Sequence, residues 1–133
     1  MFSIDTLRSD LSDTSGAGTV LRAAWDAFAL AGAVARALAW REDTDPVAAL
    51  SAAAAADAGR DLLPPPAEGS APPLPGDVGP GLADGLAEVL DRVRQRLDEQ
   101  GRAAEAPDDL YALHAAADRA GEAAACLRNL RAA

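Results

Sequence analysis

Prolines are concentrated in one short part of this chain, and their distribution limits what the chain can fold into. Seven of the nine prolines fall between Pro64 and Pro80, in the segment PPPAEGSAPPLPGDVGP. Proline fixes φ and has no backbone N–H to donate, so this segment cannot continue a helix or a central strand. We interpret 64–80 as a Pro/Gly-rich flexible linker with polyproline character. Regular structure is therefore expected on either side of it.

The residues outside this segment have the composition of helices. About a quarter of the 133 residues are alanine, most of the large apolar residues are leucine, and aromatic residues make up 4%. Alanine and leucine favour helix, whereas strands favour β-branched and aromatic residues. A chain of this length can bury one hydrophobic core but not two. We therefore predict a single all-α domain over 1–133.

Apolar periodicity and capping residues place the helices. Asp45 before Pro46, and Pro107 before Asp108, are typical helix starts. The predicted helices cover about 4–11, 17–40, 46–63, 82–100 and 108–131. Short connections within each half indicate two antiparallel hairpins, so we predict a four-helix bundle plus a short N-terminal helical turn.

The apolar residues also predict which face of each helix is buried. At 82–100, leucines and valines occupy one face and acidic residues the other. Its predicted inward row is Leu82, Leu86, Val89, Leu90, Val93 and Leu97. At 46–63 the alanine tract gives little contrast, and the larger side chains decide the choice. Its predicted inward row is Val47, Leu50, Ala54, Ala58 and Leu62.

The helix at 17–40 is short of polar residues. Arg22, Asp26 and Arg36 are its only charged residues. A face this wide and apolar is usually central in a bundle or covered by a second chain. We therefore predict a non-enzymatic helical interaction or scaffold module that acts through homodimerisation or by binding another protein. The residues predicted to form the interface are Val20, Trp25, Phe28 and Trp40.

Charge and chain composition argue against several other partners. The formal net charge is -9, and all twelve basic residues are arginine. An acidic chain without a basic cluster is not expected to bind nucleic acid or an anionic membrane surface. The apolar stretch at 23–40 contains Asp26 and Arg36, so we do not predict a membrane span. Abundant alanine, and arginine without lysine, suggest a GC-rich bacterial genome.

The cysteine content and the start of the sequence favour a cytoplasmic location. Cys126 is the only cysteine, so the given chain cannot form an internal disulfide. The segment MFSIDTLRSDLSD lacks the basic and apolar pattern of a secretory signal. His114 and Cys126 are too far apart on one helix, by about 18 Å, to act as a base and nucleophile. Cys126 is expected to be a partly buried small apolar residue.

Acidic residues on the last two helices provide an alternative function. Carboxylates on facing helices can hold Mg²⁺ or Mn²⁺, as in a metal-dependent nucleotide or phosphoester hydrolase of the all-helical type. The candidate ligands are Asp84, Glu88, Asp91, His114, Asp118 and Glu122. The simpler interpretation assigns no cofactor and places these residues on solvated faces, with Asp118 bonded to His114.

A third possible function is small-ligand binding. The candidate site is a pocket between the two hairpins, lined by Trp25, Phe28 and Leu113, which the flexible linker would allow to part.

Overall fold

The computed structural model describes residues 4–12, 14–65 and 80–130. These residues form five helices and no β-strand, which confirms the all-α class. The helices are α1 (Ile4–Asp10), α2 (Ala17–Leu38), α3 (Pro46–Asp61), α4 (Pro80–Ala103) and α5 (Pro107–Arg128). Most of the predicted linker, 66–79, lies outside the described residues. None of the described helices is long and apolar enough to cross a membrane.

The shortest helix, α1, packs against α2 and α4. Leu7 and the following Leu11 are both fully buried in the common core. On the outer side, the Arg8 guanidinium lies 3.0 Å from a carboxylate oxygen of Glu88 on α4. The N-terminal helix is therefore held by two buried leucines and a surface ion pair.

Helix α2 is largely buried within its own chain. It contacts α1, α3, α4 and, to a small extent, α5. The row through Val20, Ala24, Ala27, Ala31, Val34 and Leu38 is buried. Gly32 allows α3 to come close: a Cβ added there would lie 3.1 Å from the Asp57 carboxylate, which pairs with Arg36. Small residues on α2 thus permit a short distance between the two helices.

Helix α3 starts where the sequence predicts but turns a different face to the core. The Asp45 carboxylate caps it by accepting a hydrogen bond from the Val47 N–H at 2.9 Å. The predicted inward row is wrong, because Val47, Leu50 and Ala54 are exposed. The buried residues are Ala49, Ala52, Ala53, Ala55, Ala56 and Gly59.

Close packing explains this orientation of α3. The ring of Phe28 on α2 lies directly over Gly59, where an added Cβ would be 2.5 Å from the ring carbons. Only the smallest residues fit between α3 and its neighbours α2 and α5 at this distance. The larger side chains of α3 are consequently on the outside.

Helices α4 and α5 make the most extensive pair in the molecule. The predicted inward row of α4 is confirmed from Leu86 to Leu97, while Leu82 is half-buried. On α5 the buried residues are Ala116, Ala117, Ala120, Ala123, Ala124 and Leu127. Leucine and valine side chains of α4 therefore fill the space left by an alanine-rich face of α5. The buried residues of all five helices belong to one hydrophobic cluster.

Candidate functional site

The acidic residues of α4 that were candidates for a metal site point to the surface. Asp84, Glu88 and Asp91 are all exposed. Glu88 pairs with Arg8, and Asp91 pairs with Arg128 on α5. These contacts are surface ion pairs, which contribute little stability and leave no shared ligand position between the carboxylates.

The candidate ligands of α5 have separate partners as well. His114 Nδ1 lies 2.9 Å from an Asp98 carboxylate oxygen on α4. The sequence suggested Asp118 as the partner of His114, and this prediction was wrong. Its ring rests on Gly101, where an added Cβ would lie 2.8 Å from Nε2. Asp118 is exposed. The Arg119 guanidinium donates to Glu122 at 3.0 Å, within the same helix.

These positions give the metal alternative no support. Among residues 4–12, 14–65 and 80–130, no group of three or more His, Cys, Asp or Glu side chains is placed to hold a metal ion. The six candidate ligands lie within these ranges, and five of them are exposed carboxylates. The His114–Asp98 pair and the Arg119–Glu122 pair are more simply understood as contacts that stabilise α4 and α5.

Cys126 is half-buried on α5 and has no disulfide partner. Burial, with a smaller effect from the Glu122 carboxylate, raises the pKa of its thiol. A raised pKa keeps the thiol protonated at neutral pH, whereas a catalytic cysteine needs the thiolate. This environment agrees with the interpretation of Cys126 as a small apolar residue.

The four residues predicted to form an interface occupy three different environments. Val20 and Phe28 are 0% exposed and belong to the core of the single chain. Trp25 is half-buried, and the Arg60 guanidinium lies 5.8 Å from its ring centre. Trp40 is 89% exposed. Of the four, Trp40 is the one available to a partner with its whole side chain.

Two further large apolar residues are exposed close to Trp40 in the chain. Trp40 lies in the turn after α2, and α3 begins six residues later at Pro46. Val47 is 72% exposed and Leu50 is 55% exposed. Residues three apart in a helix lie on the same face, so Val47 and Leu50 point the same way. We call Trp40, Val47 and Leu50 the corner surface.

Charged residues of both signs lie between Trp40 and Val47 in the chain. The Arg41 guanidinium lies 3.0 Å from the Asp43 carboxylate, and Glu42 between them is exposed. A side-chain hydrogen bond from Arg41 lowers the pKa of Asp43. Asp43 is therefore charged at neutral pH, and the turn between Trp40 and α3 carries an arginine and two exposed acids.

Val47 and Leu50 are the larger apolar side chains of α3, so the sequence pattern predicted them in the core and not on the surface. A signal for the opposite orientation was present. The smallest residues of α3 form their own row at helical spacing, through Ala49, Ala52, Ala56 and Gly59. Small side chains along one row allow a neighbouring helix to come close, because the distance between helix axes depends on the side chains at the contact.

An apolar cleft lies at the other end of α3. It has a volume of about 460 Å³ and is formed where α2 and α5 begin and α3 and α4 end. Its lining residues are Ala17, Leu21, Leu62, Leu63, Pro64, Gln100, Ala103, Ala104, Asp109, Ala112 and Leu113. Leu113 was predicted to line a pocket, but Trp25 and Phe28 do not line this cleft.

The chain matches no known protein-family model, and comparisons with curated proteins and with solved structures found no significant match.

Proposed function

We propose that this chain is a non-enzymatic helical interaction module that forms a homodimer through the corner surface. The observation that carries the proposal is the exposure of Trp40, Val47 and Leu50 within eleven consecutive residues, 40–50. Isolated exposed apolar residues are common, but one aromatic and two aliphatic residues exposed within so short a stretch of chain favour a binding surface. Tryptophan is also enriched among the residues that contribute most to binding energy.

The burial of α2 within its own chain supports the corner surface, and not α2, as the contact between two copies. The apolar face of α2 predicted cover from a second chain, but α1, α3 and α4 cover most of this helix. Val20 and Phe28 would reach a partner only if this packing opened. The corner surface is accessible without any rearrangement, so it is the better candidate for contact with a second copy.

The charges around the corner surface favour a second copy as the partner. In a two-fold dimer the same patch meets itself, so each charged group faces groups of the same patch on the other copy. Arg41 of one copy can then approach Glu42 or Asp43 of the other.

The net charge of -9 opposes association over longer distances. At physiological ionic strength, the Debye length is about 8 Å, which limits this repulsion. We expect the dimer to strengthen as salt increases.

Light scattering coupled to size exclusion tests the dimer directly. We expect a dimer at tens of micromolar for the unmodified chain and a shift to monomer for Trp40→Ser. Tyr111→Ser is the matched control, because Tyr111 is also aromatic and 72% exposed but lies at the start of α5. A monomeric unmodified chain, or an equal effect of the two variants, would contradict the proposal.

We also infer that α2 to α5 form a four-helix bundle of two antiparallel hairpins. The contacts support a ring, since α2 contacts α3 and α4 and α5 also contacts both. Between α4 and α5, Gly101 meets His114 and Arg94 meets Gly121. A later residue of α5 therefore meets an earlier residue of α4, as in an antiparallel pair.

The contacts of α2 with α3 have the same order. Phe28 meets Gly59, and the later Gly32 meets the earlier Asp57. Nuclear Overhauser effects between the Phe28 ring and Gly59 Hα would check this pairing in solution. Their absence in an assigned spectrum would contradict it.

The proposal includes a cytoplasmic location, which is consistent with the single free cysteine.

A further inference from the structure

We propose that the cleft between the start of α2 and the start of α5 binds a small amphiphile with an aliphatic body and a cationic head. This site is separate from the corner surface. Four segments of the chain converge on it, from α2, the end of α3, the end of α4 and the start of α5. The volume of about 460 Å³ lies within the usual range for small-molecule sites, about 300–1,000 Å³.

The walls of the cleft determine the body of the ligand. Nine of its eleven lining residues are alanine, leucine or proline. Leu21, Leu62 and Leu113 are half-buried, so each still has apolar surface to cover. Covering it with an apolar ligand gains free energy in proportion to the area removed from water. No lining residue is aromatic, so an aromatic ligand would gain no ring stacking here. An aliphatic chain is the simplest body that fits these walls.

The two polar lining residues determine the head of the ligand. Among the described residues that line the cleft, Asp109 is the one that is ionisable, and it is exposed. Gln100 lies on the α4 side, and its amide nitrogen donates to the Ala17 carbonyl at 3.5 Å. A carboxylate accepts hydrogen bonds and attracts positive charge, so it favours an ammonium head. A carboxylate head would be repelled by Asp109.

A pair of probes with the same body and opposite charge tests the head. We expect isothermal titration calorimetry to detect binding of decylamine, below its micelle concentration, and much weaker binding of decanoate. Binding of decylamine should show a negative heat-capacity change, because apolar surface is buried. Tighter binding of decanoate, or no binding of either probe, would overturn the proposal.

Adjacent aspartates provide a matched control for the charge. Asp108 and Asp109 are both exposed in the first turn of α5, but only Asp109 lines the cleft. Asp109→Asn should weaken decylamine binding by about two- to fivefold, as expected for an exposed ion pair. Asp108→Asn changes the net charge equally and should have no effect. Equal weakening by both would mean general attraction to an acidic protein and would overturn the site.

A substitution that fills the cleft tests the body independently. Ala103 is exposed and lines the cleft, so Ala103→Trp should fold and should reduce decylamine affinity by at least tenfold. Ala125→Trp adds the same side chain at an exposed position of α5 outside the cleft and serves as the control. Circular dichroism should give the same helix content for both variants. Unchanged binding by folded Ala103→Trp would overturn the proposal.

Discussion

Helices α3 and α4 contribute to the same core in opposite ways. The core face of α4 consists of leucine, valine and alanine, and its acidic residues face water. The core face of α3 consists of alanine and glycine, and its Val47 and Leu50 are exposed. One helix fills space with large side chains, whereas the other reduces the distance to its neighbours. Large apolar residues are therefore buried in α4 but exposed in α3.

The largest expected effect on stability comes from comparing one leucine of α4 with one leucine of α3. Leu90 of α4 is fully buried, and Leu90→Ala should lower the free energy of unfolding by about 2–5 kcal/mol. Leu50 of α3 is exposed, and Leu50→Ala should change it by less than about 0.5 kcal/mol. Urea denaturation at a low protein concentration, where a dimer would dissociate, measures both changes in the free energy of unfolding. Similar losses would mean that α3 packs through the row predicted from its larger side chains.

Stability should fall when a small residue of α3 is enlarged, whereas it falls in α4 when a large residue is made smaller. Gly59→Ala places a Cβ 2.5 Å from the Phe28 ring, so we expect it to cost about 1–3 kcal/mol of stability. This cost exceeds the gain of about 1 kcal/mol that alanine brings to a helix. Combining Gly59→Ala with Phe28→Leu in a double-mutant cycle should recover part of the loss. A stabilising Gly59→Ala would contradict the close contact between α2 and α3.

The N-terminal cap of α3 should have an effect of about 1 kcal/mol. Asp45 accepts hydrogen bonds from the N–H groups of Val47 and Ala48 at 2.9 and 3.4 Å. Asp45→Ala removes this cap and should cost about 0.5–2 kcal/mol in thermal or urea denaturation. Asp45→Asn keeps an acceptor oxygen and should retain most of the stability. Equal losses for the two variants would indicate that the charge of Asp45, rather than its cap, stabilises α3.

The smallest effect is a gain on α4. A Cβ added at Gly85 would meet Ile4 Cδ1 at 3.5 Å, an ordinary van der Waals contact. Gly85→Ala should therefore raise the free energy of unfolding by about 0.5–1 kcal/mol, because alanine is the better helix former. The same substitution has opposite signs at Gly59 and Gly85. A loss at Gly85 would show that α1 packs on α4 more tightly than the structure indicates.

The comparison also shows how much of the fold could be predicted from the sequence. The all-α class followed from alanine, leucine and the proline distribution, and α4 was oriented correctly because its large apolar residues alternate with acids. The orientation of α3 could not be derived in this way. Alanine has little contrast with its neighbours, and the choice of face depends on a contact between Phe28 and Gly59 that are far apart in the sequence.

The candidate sites could be predicted only in part. Helical spacing correctly placed His114, Asp118 and Glu122 on one helix, but spacing alone does not give partners, and His114 pairs with Asp98. Trp40 was one of the four residues predicted for an interface from the apolar face of 17–40, and it is exposed. The cleft was not located, because its walls come from four segments that only the packing of the helices brings together.

One backbone hydrogen bond determines how the protein should be handled in these experiments. The Asp45 N–H donates to the Leu130 carbonyl at 2.7 Å, which joins the start of α3 to the chain just after α5. Asp45 lies between Trp40 and Val47 in the sequence. An affinity tag joined directly to Leu130 would therefore begin next to Asp45, in the segment of chain that carries the corner surface, and it would crowd that surface in a binding experiment.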